Sequence, residues 1–267
     1  MMTLSQLAIY PIKSTAQITL SSATMGSFGL DNDRRWMLVD DNGFMLTQRK
    51  HPKMCLIQCQ FENEQLRVSA PNMPVLKIPR EGFTKEAGER IKATVWDDVC
   101  EAYFCGTTAA EWFSRFLDTS ARLVYFPENE LRQVDLNYAK QGDITAFSDG
   151  FPYLLIAQAS LDDLNSRLQN PVEMRRFRPN LVISGSEAFA EDQWKKIRIG
   201  DITLNLVKPC SRCVIPSINP DTAEKSAEVV KTLADYRMRD NKIFFGQNVI
   251  AENTGELAVG MPVEILA

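Results

Sequence analysis

Val207-Lys208-Pro209-Cys210-Ser211-Arg212-Cys213-Val214-Ile215-Pro216 joins the end of an apolar segment to two cysteines flanked by fixed positive charge. A cysteine thiolate is a soft metal ligand and a strong nucleophile, and a neighbouring guanidinium or ammonium group favours the thiolate over the thiol. The function of this chain therefore depends first on whether Cys213 is a metal ligand, a nucleophile or neither.

Three chemistries are compatible with the cysteine pair. A thioredoxin-like dithiol needs its first cysteine at the N-terminus of a helix, where the helix dipole stabilises the thiolate. Residues 214–216 are valine, isoleucine and proline, which disfavour a helix and weaken this interpretation. A buried structural cysteine stays open. So does a single metal thiolate, with Lys208 and Arg212 close enough to bind an anionic cofactor.

Composition restricts the class of protein. The chain has 267 residues, 45% hydrophobic and 24% charged, which is typical of a folded protein with one large domain or two smaller ones. A net charge of −4 argues against binding of a nucleic-acid polymer. The sequence shows neither an apolar run of membrane-spanning length nor the layout of a signal peptide. We therefore expect a cytoplasmic protein that does not act at a membrane.

The cysteines also argue for a reducing compartment. They occupy positions 55, 59, 100, 105, 210 and 213, and only the last two have the CxxC spacing. A four-cysteine zinc site needs a second such pair, so it is disfavoured. His51 is the sole histidine, which excludes a histidine-rich metal centre and makes a serine–histidine hydrolase improbable.

Short segments of strand-like sequence dominate the first hundred residues, and turn signals such as Asp40-Asp41-Asn42-Gly43 separate them. The predicted strands are Leu4–Ile9, Gln17–Leu20, Arg35–Val39, Phe44–Thr47, Met54–Gln60, Leu66–Ser69, Leu76–Ile78, Ile91–Val95 and Glu101–Phe104. Strands at this spacing predict a small barrel or sandwich.

The second half of the chain mixes helices with strands. Thr107 or Thr108 is expected to cap a helix over Ala109–Leu117, and Ser160 to open another. The predicted later strands are 180–184, 196–199, 202–207, 244–249 and 263–266. The change of pattern near residues 106–122 predicts a boundary, and we divide the chain into domains at 1–115 and 116–267.

Basic residues recur where predicted loops meet strands. Lys13 and Ser14 follow the first strand, Arg34 precedes another, Arg49 lies in a polar turn, and Arg175–Asn180 precedes a later predicted strand. Arginine forks and serine hydroxyls bind phosphate oxygens through charge-assisted hydrogen bonds. Each cluster taken alone is more often a solvated surface.

Taken together, these runs resemble the MOSC superfamily, in particular its two-part members with a MOSC N-terminal β-barrel domain. The group includes YcbX-like bacterial proteins and the mitochondrial amidoxime-reducing component. The matching runs, in family order, are Tyr10-Pro11-Ile12-Lys13-Ser14, Gly29-Leu30 with Asp33-Arg34, Phe147-Ser148-Asp149, Ala159-Ser160-Leu161, Phe177 to Gly185, Cys210-Ser211-Arg212-Cys213, Pro220-Asp221-Thr222 and Phe245-Gly246-Gln247.

The resemblance implies a β-rich α+β fold, with a MOSC N-terminal β-barrel domain followed by a MOSC β-barrel domain with peripheral helices. It also implies a molybdenum cofactor, whose metal is bound by the thiolate of Cys213. The positions that match cofactor-binding residues are Lys13, Ser14, Arg34, Arg178, Asn180, Ser211 and Arg212. Asn248 takes the place of a tyrosine in the mitochondrial relative, and we assign it to the same cofactor-binding group. Asp149 also matches, and we assign it to the catalytic group without a defined role.

The implied activity is reduction of N-hydroxylated compounds (hydroxylamines, amidoximes and N-hydroxylated bases), a form of detoxification. YcbX-like proteins often continue into a ferredoxin domain, but no four-cysteine iron–sulfur signature follows Val263–Leu266 here. We therefore expect electrons from a separate partner, either a ferredoxin-like protein or a flavin reductase.

The alternative is a protein that binds the cofactor or carries sulfur without redox turnover, as in cofactor sulfurases. Full sulfurases also have a pyridoxal-phosphate-binding domain, for which 267 residues leave no room. Two departures from the family pattern, Ala223 and Pro216, lie in the loops beside the metal ligand and bear on substrate preference.

Overall fold

The computed structural model describes residues 1–80 and 89–267. Its strands are β1 (Thr3–Ile9), β2 (Ile18–Leu20), β3 (Ser22–Gly26), β4 (Gly29–Leu30), β5 (Trp36–Val39), β6 (Gln58–Glu62), β7 (Gln65–Ser69), β8 (Leu76–Pro79), β9 (Arg90–Val95), β10 (Asp98–Phe104), β11 (Arg122–Tyr125), β12 (Tyr153–Ala157), β13 (Leu181–Ser184), β14 (Lys196–Ile199), β15 (Ile202–Ser211), β16 (Met238–Arg239), β17 (Lys242–Ala251), β18 (Gly255–Ala258) and β19 (Val263–Ile265). The α-helices are α1 (Thr107–Leu117), α2 (Gln158–Arg167) and α3 (Glu228–Arg237). The predicted β-rich α+β class is confirmed.

The largest sheet in the described residues has nine strands. Its order is β19-β14-β15-β17-β12-β13-β1-β2, and β16 pairs with β17. Strand β1 runs antiparallel to β13, with Thr3 opposite Ser184. Leu7, Leu155 and Leu204 are fully buried in one apolar cluster against this sheet. Strands from both sides of the expected boundary at residues 115 and 116 therefore pair with each other, and the boundary itself stays a prediction.

A second group of strands forms a four-stranded sheet in the order β5-β11-β10-β9 and a three-stranded sheet in the order β6-β7-β8. Helix α1 packs on this group through Trp112 and Phe113, which belong to the same buried cluster as Leu38 and Leu66. The Trp112 indole N–H donates to the carbonyl of Pro74 at 2.6 Å, so its one polar atom is satisfied. The face of α1 that carries these two aromatic residues is thus buried.

The run that contains Cys213 leaves the large sheet at the end of β15. This strand extends four residues beyond its predicted end, to Ser211, because its register with β17 shifts on either side of Lys208 and Pro209. Proline has no backbone N–H to give to a ladder, so a shift of register beside it is expected. A short 3₁₀ helix, Ile215–Ser217, follows. Cys213 therefore lies past the end of a strand, as the sequence predicted.

Several local predictions were wrong. Residues 44 and 45 form isolated bridges and residues 46 and 47 have no regular structure, although Met45 still donates to the carbonyl of Thr94. Residues 52–56 form a 3₁₀ helix, with Pro52 at its first position, and β6 begins only at Gln58. Proline is favoured at the first position of a helix, and a 3₁₀ helix therefore forms where the apolar residues predicted the start of a strand.

Two predicted helix caps were also wrong. Neither Thr107 nor Thr108 caps α1, because Gly106 occupies the N-cap position. Helix α2 begins two residues before Ser160. The Ser160 hydroxyl is fully buried and donates to the carboxylate of Glu191 at 2.8 Å. The serine therefore donates its hydrogen bond to a buried carboxylate and does not cap the helix.

Gly246 offers a test of packing between β17 and β12. Its φ is +80°, and a Cβ there would lie 2.6 Å from Cγ1 of Ile156 and 2.8 Å from the carbonyl oxygen of Leu155. We expect Gly246→Ala to lower the free energy of unfolding by about 2 kcal/mol, from backbone strain plus this clash. Urea denaturation measures the loss. Gly142→Ala is the control, because Gly142 also has a positive φ but no described atom lies within 4 Å of the added Cβ. Equal losses at the two positions would contradict the clash.

Candidate functional site

A cavity opens beside the end of β15 and the loops that precede β12 and β13. It contains about 810 Å³ of space outside protein atoms, part of it open to solvent. Its lining includes every site residue selected from the sequence: Lys13, Ser14, Arg34, Asp149, Arg178, Asn180, Ser211, Arg212, Cys213 and Asn248. Segments more than 200 residues apart in the sequence therefore meet at one place. The individual roles of these residues stay predictions.

One end of the cavity is built around Cys213 and Asp149. The Lys13 ammonium donates to Oδ1 of Asp149 at 2.6 Å and to the carbonyl of Phe147 at 2.7 Å. The Arg49 guanidinium donates to Oδ2 of the same carboxylate at 3.1 Å. Arg49 is also attracted to the thiolate form of Cys213. A thiol, a carboxylate and two cations thus share this end, and Cys213 is half-buried and reachable from the cavity.

The other end contains two arginines stacked on one tyrosine. The guanidinium carbons of Arg34 and Arg178 lie 4.4 Å and 4.1 Å from the centroid of the Tyr10 ring. The Tyr10 hydroxyl donates to the carbonyl of Pro179 at 3.1 Å, and burial raises the pKa of Tyr10 to about 12, so it stays neutral. The cation–π contacts with the ring, together with the ion pair between Arg34 and the buried carboxylate of Asp33, hold two like charges close together. Such a pair is suited to an anion with several oxygens, such as a phosphate.

Three residues that line the cavity have an unusual backbone conformation. Ser14, Arg34 and Arg178 have φ values of 69°, 47° and 61°, in the left-handed region that non-glycine residues seldom adopt. Strained backbone of this kind persists where the surrounding structure enforces it, and it clusters at functional sites. Here the strain directs three polar side chains into one cavity.

Asn180 uses its whole amide within the protein. Its Nδ2 donates to the carbonyl of Ala8 and to Oδ2 of Asp33, each at 3.1 Å. Its Oδ1 accepts from the backbone N–H of Leu154 at 3.2 Å and from Arg34 at 3.0 Å. An asparagine amide offers two donor hydrogens and two acceptor lone pairs, so none is left over for a ligand. Asn180 therefore holds Arg34 in place at the edge of the cavity.

Burial and neighbouring charges shift the pKa values of the ionisable groups in the cavity. Burial lowers the pKa of Lys13 to about 8, although the attraction of Asp149 opposes the shift. Burial alone would raise the pKa of Asp149, but Lys13 and Arg49 outweigh it and hold that pKa well below its usual range. Burial likewise lowers the pKa of Arg178 to about 10. Asp149 is therefore ionised at neutral pH, and of these three groups Lys13 has the pKa nearest to neutrality.

The chemistry of the lining favours an anionic ligand. Among the described residues the lining carries one carboxylate, Asp149, and five cations: Lys13, Arg34, Arg49, Arg178 and Arg212. The buried Nε of Arg212 also finds no hydrogen-bond partner among the described residues. Its Nη2 donates to the carbonyl of Phe177 at 2.6 Å, which fixes the guanidinium plane. Excess positive charge and an unsatisfied donor both fit a ligand that brings phosphate oxygens.

Arg49 is the site residue that sequence reasoning did not select. The sequence placed it in a basic turn with His51, a pattern that is usually surface, and only the fold brings it to Asp149, 100 residues further along the chain. Within residues 1–80 and 89–267, no group of three or more histidine, cysteine, aspartate or glutamate side chains is arranged to hold a metal ion. Cys213 is accordingly considered as a single thiolate ligand.

Anion binding should depend on pH through Lys13. Sulfate is a suitable probe because it does not titrate between pH 6 and 10. Lys13 is charged below its pKa of about 8 and neutral above it, so sulfate affinity should fall about three- to tenfold between pH 7 and pH 9. Isothermal titration calorimetry measures this fall. Lys13→Met should bind more weakly at pH 7 and lack the step, whereas an equal step in Lys13→Met would contradict the assignment.

Comparison with known proteins identifies the class of this fold and site. Residues 1–120 match the MOSC N-terminal beta barrel domain, and residues 143–264 match the MOSC domain. The chain is 37% identical to human mitochondrial amidoxime-reducing component 1 over 99% of its own length and 83% of the relative's. It is 34% identical to human mitochondrial amidoxime reducing component 2, covering 98% and 82% of the two chains. The chain therefore belongs to the MOSC-domain family of the mitochondrial amidoxime-reducing components.

The cellular location of this protein is not fixed by its relatives. In the part of the chain that the structure describes, none of the helices is both long enough and apolar enough to span a bilayer. The relatives carry "mitochondrial" in their names. The cytoplasmic location expected from the sequence stays a prediction.

Proposed function

We propose that this protein is a molybdenum-cofactor-dependent oxidoreductase that reduces N-hydroxylated compounds with electrons from a separate partner. The observation that carries the proposal is the meeting of Cys213 with five cationic side chains in one cavity. The names of the relatives, amidoxime-reducing components, supply the substrate class.

The two ends of the cavity suggest how the cofactor would be held. The Cys213 thiolate would bind the metal, since thiolates suit soft metals. Arg34 and Arg178, stacked on Tyr10, would bind the phosphate. Arg212 also lines the cavity, and its Nε has no hydrogen-bond partner among the described residues. The hydroxyls of Ser14 and Ser211 and the amide of Asn248 are further polar groups on the lining, and such groups suit the polar edge of a pterin.

When bound, the cofactor supplies the two-electron redox chemistry, and the protein supplies binding, orientation and charge. Reduction of a hydroxylamine consumes two electrons and two protons, breaks the N–O bond and yields an amine and water. Asp149, ionised and beside Cys213, can accept hydrogen bonds from N–H groups of an amidine or amine. The ammonium of Lys13, with its pKa of about 8, is the group at this end able to exchange a proton near neutral pH.

The electrons would come from outside the chain, from a ferredoxin-like protein or a flavin reductase. An artificial donor can replace that partner in a test, because the proposal places the redox centre in this protein. Such an assay also separates the proposed enzyme from a protein that only binds the cofactor or carries sulfur.

The test uses protein produced in a host that makes the cofactor. We expect close to one molybdenum per chain by metal analysis and reduction of hydroxylamine by chemically reduced methyl viologen. Protein that contains molybdenum but shows no turnover with any N-hydroxylated compound would favour the carrier function. Protein that takes up no molybdenum under these conditions would contradict both functions.

A further inference from the structure

An exposed tryptophan stands in an unfavourable backbone conformation beside the cavity. Trp96 occupies the two-residue turn between β9 and β10, with a φ of 56° and 47% of its surface exposed. Glycine or asparagine is the usual residue in a turn of this kind. A bulky aromatic side chain there is an outlier, and outliers of this kind are a reason to look for a function.

The indole of Trp96 is stacked on Arg49. The guanidinium carbon of Arg49 lies 4.6 Å from the ring centroid, and the same guanidinium donates to Asp149 at 3.1 Å. Arg49 lines the cavity, whereas Trp96 does not. The indole therefore contacts Arg49 from outside the lining of the cavity.

A second connection fixes the same turn to the same segment of the cavity. Arg132 donates to Asp98, at the end of the turn, at 2.7 Å. It also donates to the carbonyls of Ser148 at 2.6 Å and Asp149 at 3.2 Å. The turn is therefore held at a fixed distance from Asp149, and Trp96 has a fixed position from which to support Arg49.

We propose that Trp96 is a positioning residue: by stacking on Arg49, it keeps that guanidinium at the Cys213 end of the cavity, where the N–O group of the substrate must lie. This inference rests on the proposed function and adds a determinant of reactivity to it. An arginine side chain has several rotatable bonds, and without the indole its donors would spread over many orientations. Correctly oriented donors at the reacting end raise the rate, because they need not be ordered during the reaction.

The contact itself can be tested without cofactor or turnover. The chain has four tryptophans, so the difference between the fluorescence spectra of the wild type and Trp96→Phe isolates Trp96. We expect Arg49→Met to change the wavelength or intensity of this difference spectrum, because the cation leaves the ring face. A difference spectrum that is the same in the wild-type and Arg49→Met backgrounds would show that the pair does not form in solution and would overturn the proposal.

Kinetics test the consequence. With reduced methyl viologen as donor, we expect Trp96→Ala to lower kcat/KM about tenfold for both hydroxylamine and benzamidoxime. Trp96→Phe, which keeps an aromatic face, should stay within about twofold of the wild type. In the Arg49→Met background, Trp96→Ala should cause no further loss. Two results would mean that the indole acts directly on the substrate and would overturn the proposal. One is an equal loss of kcat/KM for Trp96→Ala in the wild-type and Arg49→Met backgrounds, and the other is a loss with benzamidoxime alone.

Trp96→Gly separates positioning from folding. Glycine adopts a positive φ without strain, so the unfolding midpoint of Trp96→Gly should equal or exceed that of Trp96→Ala. The turnover of Trp96→Gly should nevertheless fall as much as that of Trp96→Ala. Phe44→Ala is the matched control, because Phe44 is 55% exposed on the neighbouring turn and should leave turnover unchanged. Turnover that follows the unfolding midpoint across these variants would contradict the proposal. A wild type without turnover refutes the proposed function, whereas an active wild type with equally active Trp96→Ala refutes only this inference.

Discussion

Cys213→Ala should fold normally, lose most of its molybdenum and reduce hydroxylamine at least about 100-fold more slowly than the wild type. The expected loss exceeds the roughly 10- to 100-fold typical of residues that only support a metal ligand, since here the ligand itself is removed. Alanine also leaves Arg49 without the thiolate to which it is attracted. The measurements are metal content, turnover with reduced methyl viologen, and the unfolding midpoint, which should stay within a few degrees of the wild type.

Cys210→Ala is the informative comparison, because both cysteines line the cavity and lie in the same run. The Cys210 sulfur accepts from Nη1 of Arg212 at 3.1 Å, so its removal would affect that arginine without removing a metal ligand. We expect Cys210→Ala to retain molybdenum and lose far less activity than Cys213→Ala. If Cys213→Ala kept both its metal and its turnover, the ligand assignment would be wrong.

The sequence predicted strands in which leucine or isoleucine alternates with lysine or arginine. The predicted range 196–199 matches β14, and Leu76–Ile78 differs from β8 by a single residue. Strands such as β3 (Ser22–Gly26) and β4 (Gly29–Leu30) were missed, because two to five residues of mixed polarity carry no periodic signal. Strand β3 pairs with the remote β18, and β4 in turn pairs with β3.

The residues selected for the candidate site lie together in the fold, and their roles stay predictions. Matching this sequence to the family motifs identifies individual positions, and all the positions identified in this way line the same cavity. The sequence could not show which of these residues make contacts within the protein and which are left to contact a ligand. Asn180 and Arg34 both matched cofactor-binding positions, but only the structure shows that the amide of Asn180 is used up within the protein. The contribution of Arg49 and Trp96 is also tertiary, since nothing in either segment alone points to Asp149.

Asn180→Ala should be the most destabilising of the cavity substitutions, with a loss of about 4 kcal/mol in the free energy of unfolding of cofactor-free protein. Asn180 is 1% exposed, and its amide connects β1, the start of β12 and the Asp33–Arg34 pair. Alanine would leave the N–H of Leu154 and the carbonyl of Ala8 each short of one partner, and would remove two hydrogen bonds to charged groups. Each buried group left unsatisfied costs about 1–3 kcal/mol. Urea denaturation of the apoprotein measures the loss.

Asn248→Ala is the matched control, because Asn248 lines the same cavity but makes one side-chain hydrogen bond, to the carbonyl of Lys208 at 3.2 Å. It is only partly buried, and its loss should cost no more than about 1 kcal/mol. In Asn180→Ala, by contrast, Arg34 would also lose its restraint, so sulfate affinity should fall together with stability. Equal denaturation midpoints for the two variants would mean that the four contacts of Asn180 do not persist in solution, and that its amide is free to bind a ligand after all.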